Sequence, residues 1–179
     1  EKYGSTFKPD VLVNCHSNPV WAIQGPREKW LQFLREMRFI VCVDVIPTEM
    51  TDFADIILPS SDYLETWNGV MIEPPYTEGI CFRQPITAPL YDTKSEEEIF
   101  FEISERLGVL DQYNEVINMI LGFNQKPHLK LEPGKKYTDR DIAERVGLLW
   151  NDKPIEWYME HGHSSTERRL DKWYRPWEG

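Results

Sequence analysis

Apolar positions in the first sixty residues fall into short unbroken runs, separated by stretches with helical spacing. Residues 11–13 (VLV) form the first run and end in Asn14-Cys15-His16-Ser17-Asn18-Pro19, the pattern of a buried strand entering a polar loop. Pro26 then opens a helix, because proline is tolerated in a first turn; Trp30, Leu31, Phe33, Leu34 and Met37 supply its apolar face. Residues 39–43 (FIVCV) are apolar without alternation, as expected of a central parallel strand covered on both faces, and stop at Asp44. A short helix is predicted over 48–53 with Thr48 as its cap. Residues 56–59 (IILP) read as a third buried strand closed by proline.

Strands alternating with helices imply right-handed crossovers and a parallel sheet. The expected fold class is therefore α/β, a Rossmann-like parallel sheet with flanking helices. Residues 60–92 carry Pro74-Pro75, Gly69, Gly79, Pro85 and Pro89 and read as loop. Ser95 caps a strong helix. Three glutamates in its first turn suit the positive end of the helix dipole, Ile99, Phe100, Ile103 and Leu107 make its face, and Gly108 ends it. Beyond Gly108 the pattern is helical: 112–121, then a polar Pro/Gly/Lys connector over 124–137, a helix over 138–149 capped by Thr138, and another over 153–161. The expected division is an α/β domain over residues 1–108 and a helical extension over 109–179. The aromatic, basic tail (RRLDKWYRPWEG) suits contact with a further domain, through Trp173, Tyr174 and Trp177.

The formal net charge of −10 argues against nucleic acid and anionic membrane as partners, since both reward clustered positive charge. No apolar run nears the roughly 18 residues of a membrane span. Cys15, Cys42 and Cys81 are dispersed, so no zinc knuckle or iron–sulfur run is expected, and Cys15 and Cys42 read as buried apolar residues. Without an initiator methionine, the chain reads as a segment of something longer, and its compartment, cytoplasm or periplasm, stays open.

Ligands of such sheets bind beyond the carboxyl ends of the strands. That rule selects the loop at Ser17, Asn18 and Pro19 and the strand-end Asp44. The separation of Asn18 and Asp44 is close to that at which Rossmann domains place an acid on ribose hydroxyls. The glycine-rich phosphate turn is missing, and Cys15-His16-Ser17-Asn18-Pro19 stands in its place. On spacing alone an Asx turn at Asn18 and a solvated acid at Asp44 remain open alternatives. No residue set argues for acid–base, nucleophilic or metal-ligand chemistry within the chain.

The string beginning at Phe39, FIVCVDVIPTEMTDFADIILPSSDYLE, resembles the strand-D-x-x-x-T-E-T-x-x-x-A-D-I-V-L-P segment of molybdopterin oxidoreductases of the dimethyl-sulfoxide-reductase family. Asn18-Pro19 after a strand fits that family's N-P loop, and Lys94-Ser95-Glu96 with the Arg106-Leu107-Gly108 ending fits a later helix. The likeness covers about residues 10–108. Glu65-Thr66-Trp67-Asn68-Gly69 departs from the family's E-G-T stretch. The resemblance implies a nucleotide-binding α/β domain of a multidomain catalytic subunit, holding one guanosine end of a bis-molybdopterin guanine dinucleotide cofactor. It implies Asn18 in the phosphate loop, Asp44 at the ribose or guanine and Glu96 at a guanine-binding position, with Ser17, Pro19 and Thr48 as further cofactor-binding residues. The metal ligand and reacting centre would lie outside this chain. Its partners would be the remaining domains of the parent and an iron–sulfur electron-transfer protein. A free-standing α/β binding domain without cofactor is the alternative reading, and a small independent Rossmann enzyme a third.

Overall fold

In the computed structural model, which describes residues 9–22, 25–72 and 77–167, strand β1 (Val11–Cys15) lies parallel to β2 (Phe39–Asp44), and β2 parallel to β3 (Ile56–Pro59). The order is β1-β2-β3, so the uninterrupted apolar run is the central strand, as its sequence predicts. Two helices, α1 (Pro19–Ala22) and α2 (Arg27–Glu36), connect β1 to β2. One sheet face carries Ile40 and Cys42. It packs with Val20, Leu34 and Met50 into a core flanked by Leu12, Leu31, Phe33 and Met37. The other face carries Val11, Val13, Phe39 and Ile56, which share a side by register and alternation. All four are exposed, Val11 by 58%. The expectations that 11–13 and 56–59 are buried, and that 39–43 is covered on both faces along its length, are thereby corrected: β1 and β3 flank β2 as outer strands, Phe39 is exposed, and Ile57 is 51% exposed. Cys42 is fully buried as expected, whereas Cys15 is only partly so.

The chain forms two compact units, one of residues 1–61 and 91–94, the other of 62–90 and 95–179. In the second unit, the 60–92 segment read as loop supplies β4 (Asn68–Ile72) and β5 (Thr77–Arg83), which with β6 (His163–Glu167) form an antiparallel sheet ordered β4-β5-β6. Its helices are α3 (Glu96–Arg106), α4 (Leu110–Ile120), α5 (Asp139–Asn151) and α6 (Ile155–His161). Ser95 and Thr138 close capping boxes with Glu98 and Asp141, as the S/T-x-x-E/D spacing requires. The buried face of α3 is Ile99, Phe101 and Ser104; Leu107 is exposed, which corrects the predicted face. The 124–137 connector is no solvated link. Leu129, Leu131 and Tyr137 join Phe101, Leu110 and Phe123 in a core. Two asparagines of α4 satisfy its backbone: Asn118 bonds both the N–H and the C=O of Leu131, and Asn114 donates to the carbonyls of Glu132 and Lys135. A second cluster joins Ile80 and Phe82 of β5 to Ala143, Ile155 and Tyr158. The aromatic tail, including Trp173, Tyr174 and Trp177, lies outside the described residues.

Candidate functional site

The carboxyl ends of β1 and β2 are laced together. The His16 N–H donates to the Val43 carbonyl at 3.0 Å, with His16 in the left-handed region (φ 45°). That geometry, unusual outside glycine, turns the chain sharply off the strand. Buried Asn14, the penultimate residue of β1, donates its amide to the Ser17 carbonyl at 2.7 Å and fixes the loop that follows. Pro19 opens α1, where its missing N–H removes no helical bond, and is buried with Val20.

Asn18 does not form the Asx turn that its spacing leaves open. Its amide nitrogen donates to the Glu49 carboxylate at 2.5 Å, and its Oδ1 is buried with no hydrogen-bond partner. A buried acceptor without a donor is costly, on the order of 1–3 kcal/mol, and Asn18 shares that state with Asn114 of α4.

Asp44 closes β2. Its Oδ1 accepts the Val45 N–H at 2.9 Å, and its Oδ2 lies 3.5 Å from the Thr48 hydroxyl. Thr48 is therefore no helix cap. The predicted helix is a single 3-10 turn, Thr51–Phe53, entered from Met50. The Thr48 N–H donates to the Thr51 hydroxyl, which donates back to the Thr48 carbonyl at 2.7 Å. This closed turn holds Glu49 toward Asn18. Hydrogen bonds from its own backbone and from Asn18 hold the Glu49 carboxyl below the usual carboxylate range, with smaller contributions from Trp21 and Arg27. The buried thiol of Cys42 is pushed up by desolvation first and by the Asp44 charge second. Asp55 has a structural part: its carboxylate accepts the Ile40 N–H at 2.7 Å and its own N–H donates to the Ile40 carbonyl, which ties the start of β3 to β2.

The structure thus brings Asn18, Pro19, Asp44 and Thr48 to one end of the parallel sheet and adds Glu49. Sequence reasoning missed Glu49, although it stands in the T-E pair of the quoted string. Ser17 is exposed in the same loop. Glu96 belongs to the second unit, in the first turn of α3. Asn18, Asp44, Thr48 and Glu49 offer acceptors: two carboxylates, a hydroxyl and an amide oxygen. Such a set fits the hydroxyls of a ribose or the N–H edge of a purine. It suits a phosphate less well, because Glu49 places negative charge against Asn18.

No helix among the described residues is long and apolar enough to cross a membrane. A trimethylamine-N-oxide reductase of Pasteurella multocida is 28% identical over 108 residues, which cover 60% of this chain and 13% of that protein. A Halobacterium salinarum protein, named for the catalytic chain of a dimethyl sulfoxide reductase, is 28% identical over 171 residues, 86% of this chain and 20% of that one. The chain thus spans a fifth or less of the length of these relatives. Acetylene hydratase from Pelobacter acetylenicus shares the fold, with a TM-score of 0.58 at 18% identity over 88% of this chain and 18% of that one. The family model for molybdopterin oxidoreductase matches residues 7–106, more than half of the chain, across all three parallel strands and the whole of α3, and by that match the chain belongs to the molybdopterin oxidoreductase family.

Proposed function

We propose that this chain is a cofactor-holding piece of a larger molybdenum or tungsten oxidoreductase, or a related hydratase, and that its parallel sheet receives one guanosine end of a bis-molybdopterin guanine dinucleotide. The observation that carries this reading is the grouping of Asn18, tied to Glu49, with the Asp44–Thr48 pair at the strand ends, where α/β sheets take their ligands. Asp44 accepts ribose hydroxyls or guanine N–H groups, with Thr48 steadying its carboxylate. Asn18 Oδ1 takes a further donor, and Glu49 orients the Asn18 amide. Ser17 and Pro19 form the wall of the loop on the phosphate side. Glu96 keeps the guanine-proximal part that the family likeness implies. The cofactor supplies the redox chemistry, through a metal whose protein ligand lies elsewhere in the parent. The other domains of the parent complete the clamp, and an iron–sulfur electron-transfer protein is the expected partner.

Titration of the 179-residue chain with guanosine and with GDP, followed by amide shifts, tests this. The Asn18, Asp44 and Thr48 signals move together, with millimolar affinity, because half of a shared clamp offers little buried area against the rigid-body cost of association. Elemental analysis of the same sample finds no stoichiometric molybdenum or tungsten. Shifts confined to other residues, a response to phosphate but none to guanosine, or stoichiometric molybdenum in this chain alone, rejects the reading.

A further inference from the structure

The second unit contains a cavity of about 330 Å³ that the guanosine reading does not use. Its walls are Trp67 ahead of β4, the first turn of α3 at Glu97, Ile120 at the end of α4, and Asp139, Val146 and Trp150 along α5. The floor is apolar. Trp150 and Ile120 stand at the rim, both more than half exposed. Two carboxylates and Asn68 line an otherwise apolar space, and the arrangement is built. Asp139 Oδ2 accepts the Trp67 backbone N–H at 2.7 Å across 72 residues of sequence, while its Oδ1 accepts the Arg140 N–H at 2.7 Å. Asp139 and Trp67 therefore hold each other in place.

The ionisable residues that line the cavity are both acids. Glu96 and Glu98 flank Glu97 on α3, and Asp141 follows Asp139 on α5. The nearby cation is Arg140, whose guanidinium lies 5.8 Å from the Trp67 ring and is engaged by Glu156 at 2.9 Å. Desolvation first, and then neighbouring acids, push the Glu97 carboxyl up; desolvation likewise raises Asp139 against the hydrogen bonds it accepts. An added positive charge relieves this strain. The walls decide which cation. A divalent metal ion wants six or more oxygens, and both Asp139 oxygens already accept backbone N–H groups. A primary ammonium needs three acceptors and gives up strong hydration. An alkylated ammonium sheds little hydration, needs no acceptors, and is drawn to indole faces and carboxylates together.

We propose that this cavity is a binding site for a small alkylated ammonium compound, with its charge beside Glu97 and Asp139 and its alkyl groups against Trp67 and Trp150.

Choline is the probe, titrated into the 179-residue chain at constant ionic strength and read from the indole N–H signals of Trp67 and Trp150. The comparison ligand is its neutral isostere, in which a tert-butyl group replaces the trimethylammonium. Choline binds saturably and moves both indoles, and the isostere binds at least about tenfold more weakly. Glu97→Gln weakens choline binding about tenfold, and Trp150→Leu, a change at the exposed rim, weakens it severalfold. Equal binding of choline and the isostere, no saturable response, or displacement of choline by magnesium at matched ionic strength overturns the proposal. Should Glu97→Gln fail to fold, unchanged choline affinity in Trp150→Leu overturns it alone. The guanosine titration reads signals of the first unit, so either proposal can fail without the other.

Discussion

The Asn18 amide and the Glu49 carboxylate meet across 31 residues of sequence and join the loop after β1 to the turn after β2. Because the Glu49 pKa is depressed in the fold, the tie contributes above the ordinary glutamate range and is lost only as pH falls through the lower folded value. Glu49→Ala therefore leaves the melting temperature nearly unchanged, since the group is exposed, while amide exchange rises at Trp21 and Ala22. A carboxyl-carbon titration of Glu49 with a midpoint at or above 4.5, the ordinary value, would remove the basis for this expectation.

On the proposed reading, Asp44→Ala in the larger enzyme lowers cofactor occupancy more than stability. A carboxylate accepting ligand donors contributes on the order of 1.5–3 kcal/mol to binding, tenfold or more in affinity, and its bond to Val45 is local. Metal content per purified enzyme, measured beside thermal melting, separates the two effects. Full metal content with a lowered melting temperature makes Asp44 structural.

Glu97 gives a pH dependence of the opposite sign to Glu49. Its pKa is raised in the fold, so the folded chain binds more protons than the unfolded chain between the ordinary value of 4.5 and the folded one. Stability falls as pH rises through that window. Glu97→Gln raises the melting temperature at neutral pH, and its advantage shrinks as acid is added toward the ordinary value. Calorimetry at both ends checks the sign, and a variant less stable than the parent at neutral pH contradicts it.

Gly147 lies within α5, where alanine ordinarily stabilises a helix by about 1 kcal/mol. Here a Cβ meets the Tyr158 ring at 2.9 Å and the Lys153 carbonyl at 3.0 Å, with Phe82 at 3.5 Å behind. Tyr158 is fully buried and cannot retreat cheaply. Overpacking wins, and Gly147→Ala destabilises by about 1–3 kcal/mol in denaturant melts. A stabilised variant would show that α6 shifts freely from α5.

The parallel sheet was legible because each of its strands is built on a short apolar run, and because Asp44 and Pro59 end two of them. The antiparallel sheet was not. Asn68-Gly69 and Thr77-Glu78-Gly79 carry the residues of turns, and their pairing with Arg83 and with Ser165 is long-range information that composition lacks. The neighbours Phe100 and Phe101 cannot be ranked by spacing alone; tertiary packing against Tyr113 and Tyr137 selects Phe101. Leu129 and Leu131 sit among prolines and lysines, and the backbone at Leu131 is held by Asn118, more than ten residues away. At the candidate site the strand-end rule reached Asn18 and Asp44 directly. Glu49 became visible only once the Thr48–Thr51 turn aimed it at Asn18.

The exposed part of the parallel sheet's face, at the amino ends of β1 and β2, has a colloidal consequence. Val11, Val13, Phe39 and Ile56 offer an adhesive surface, and among the described residues β1 pairs on one side only. Mutual repulsion between copies carrying ten excess negative charges opposes their sticking at neutral pH. That repulsion vanishes near the isoelectric point of about 4.9. A solution of this chain is therefore held apart by charge and precipitates as it is acidified toward that point or as salt screens the charge. Replacing Val11 and Val13 with threonine widens the soluble range without touching the covered face.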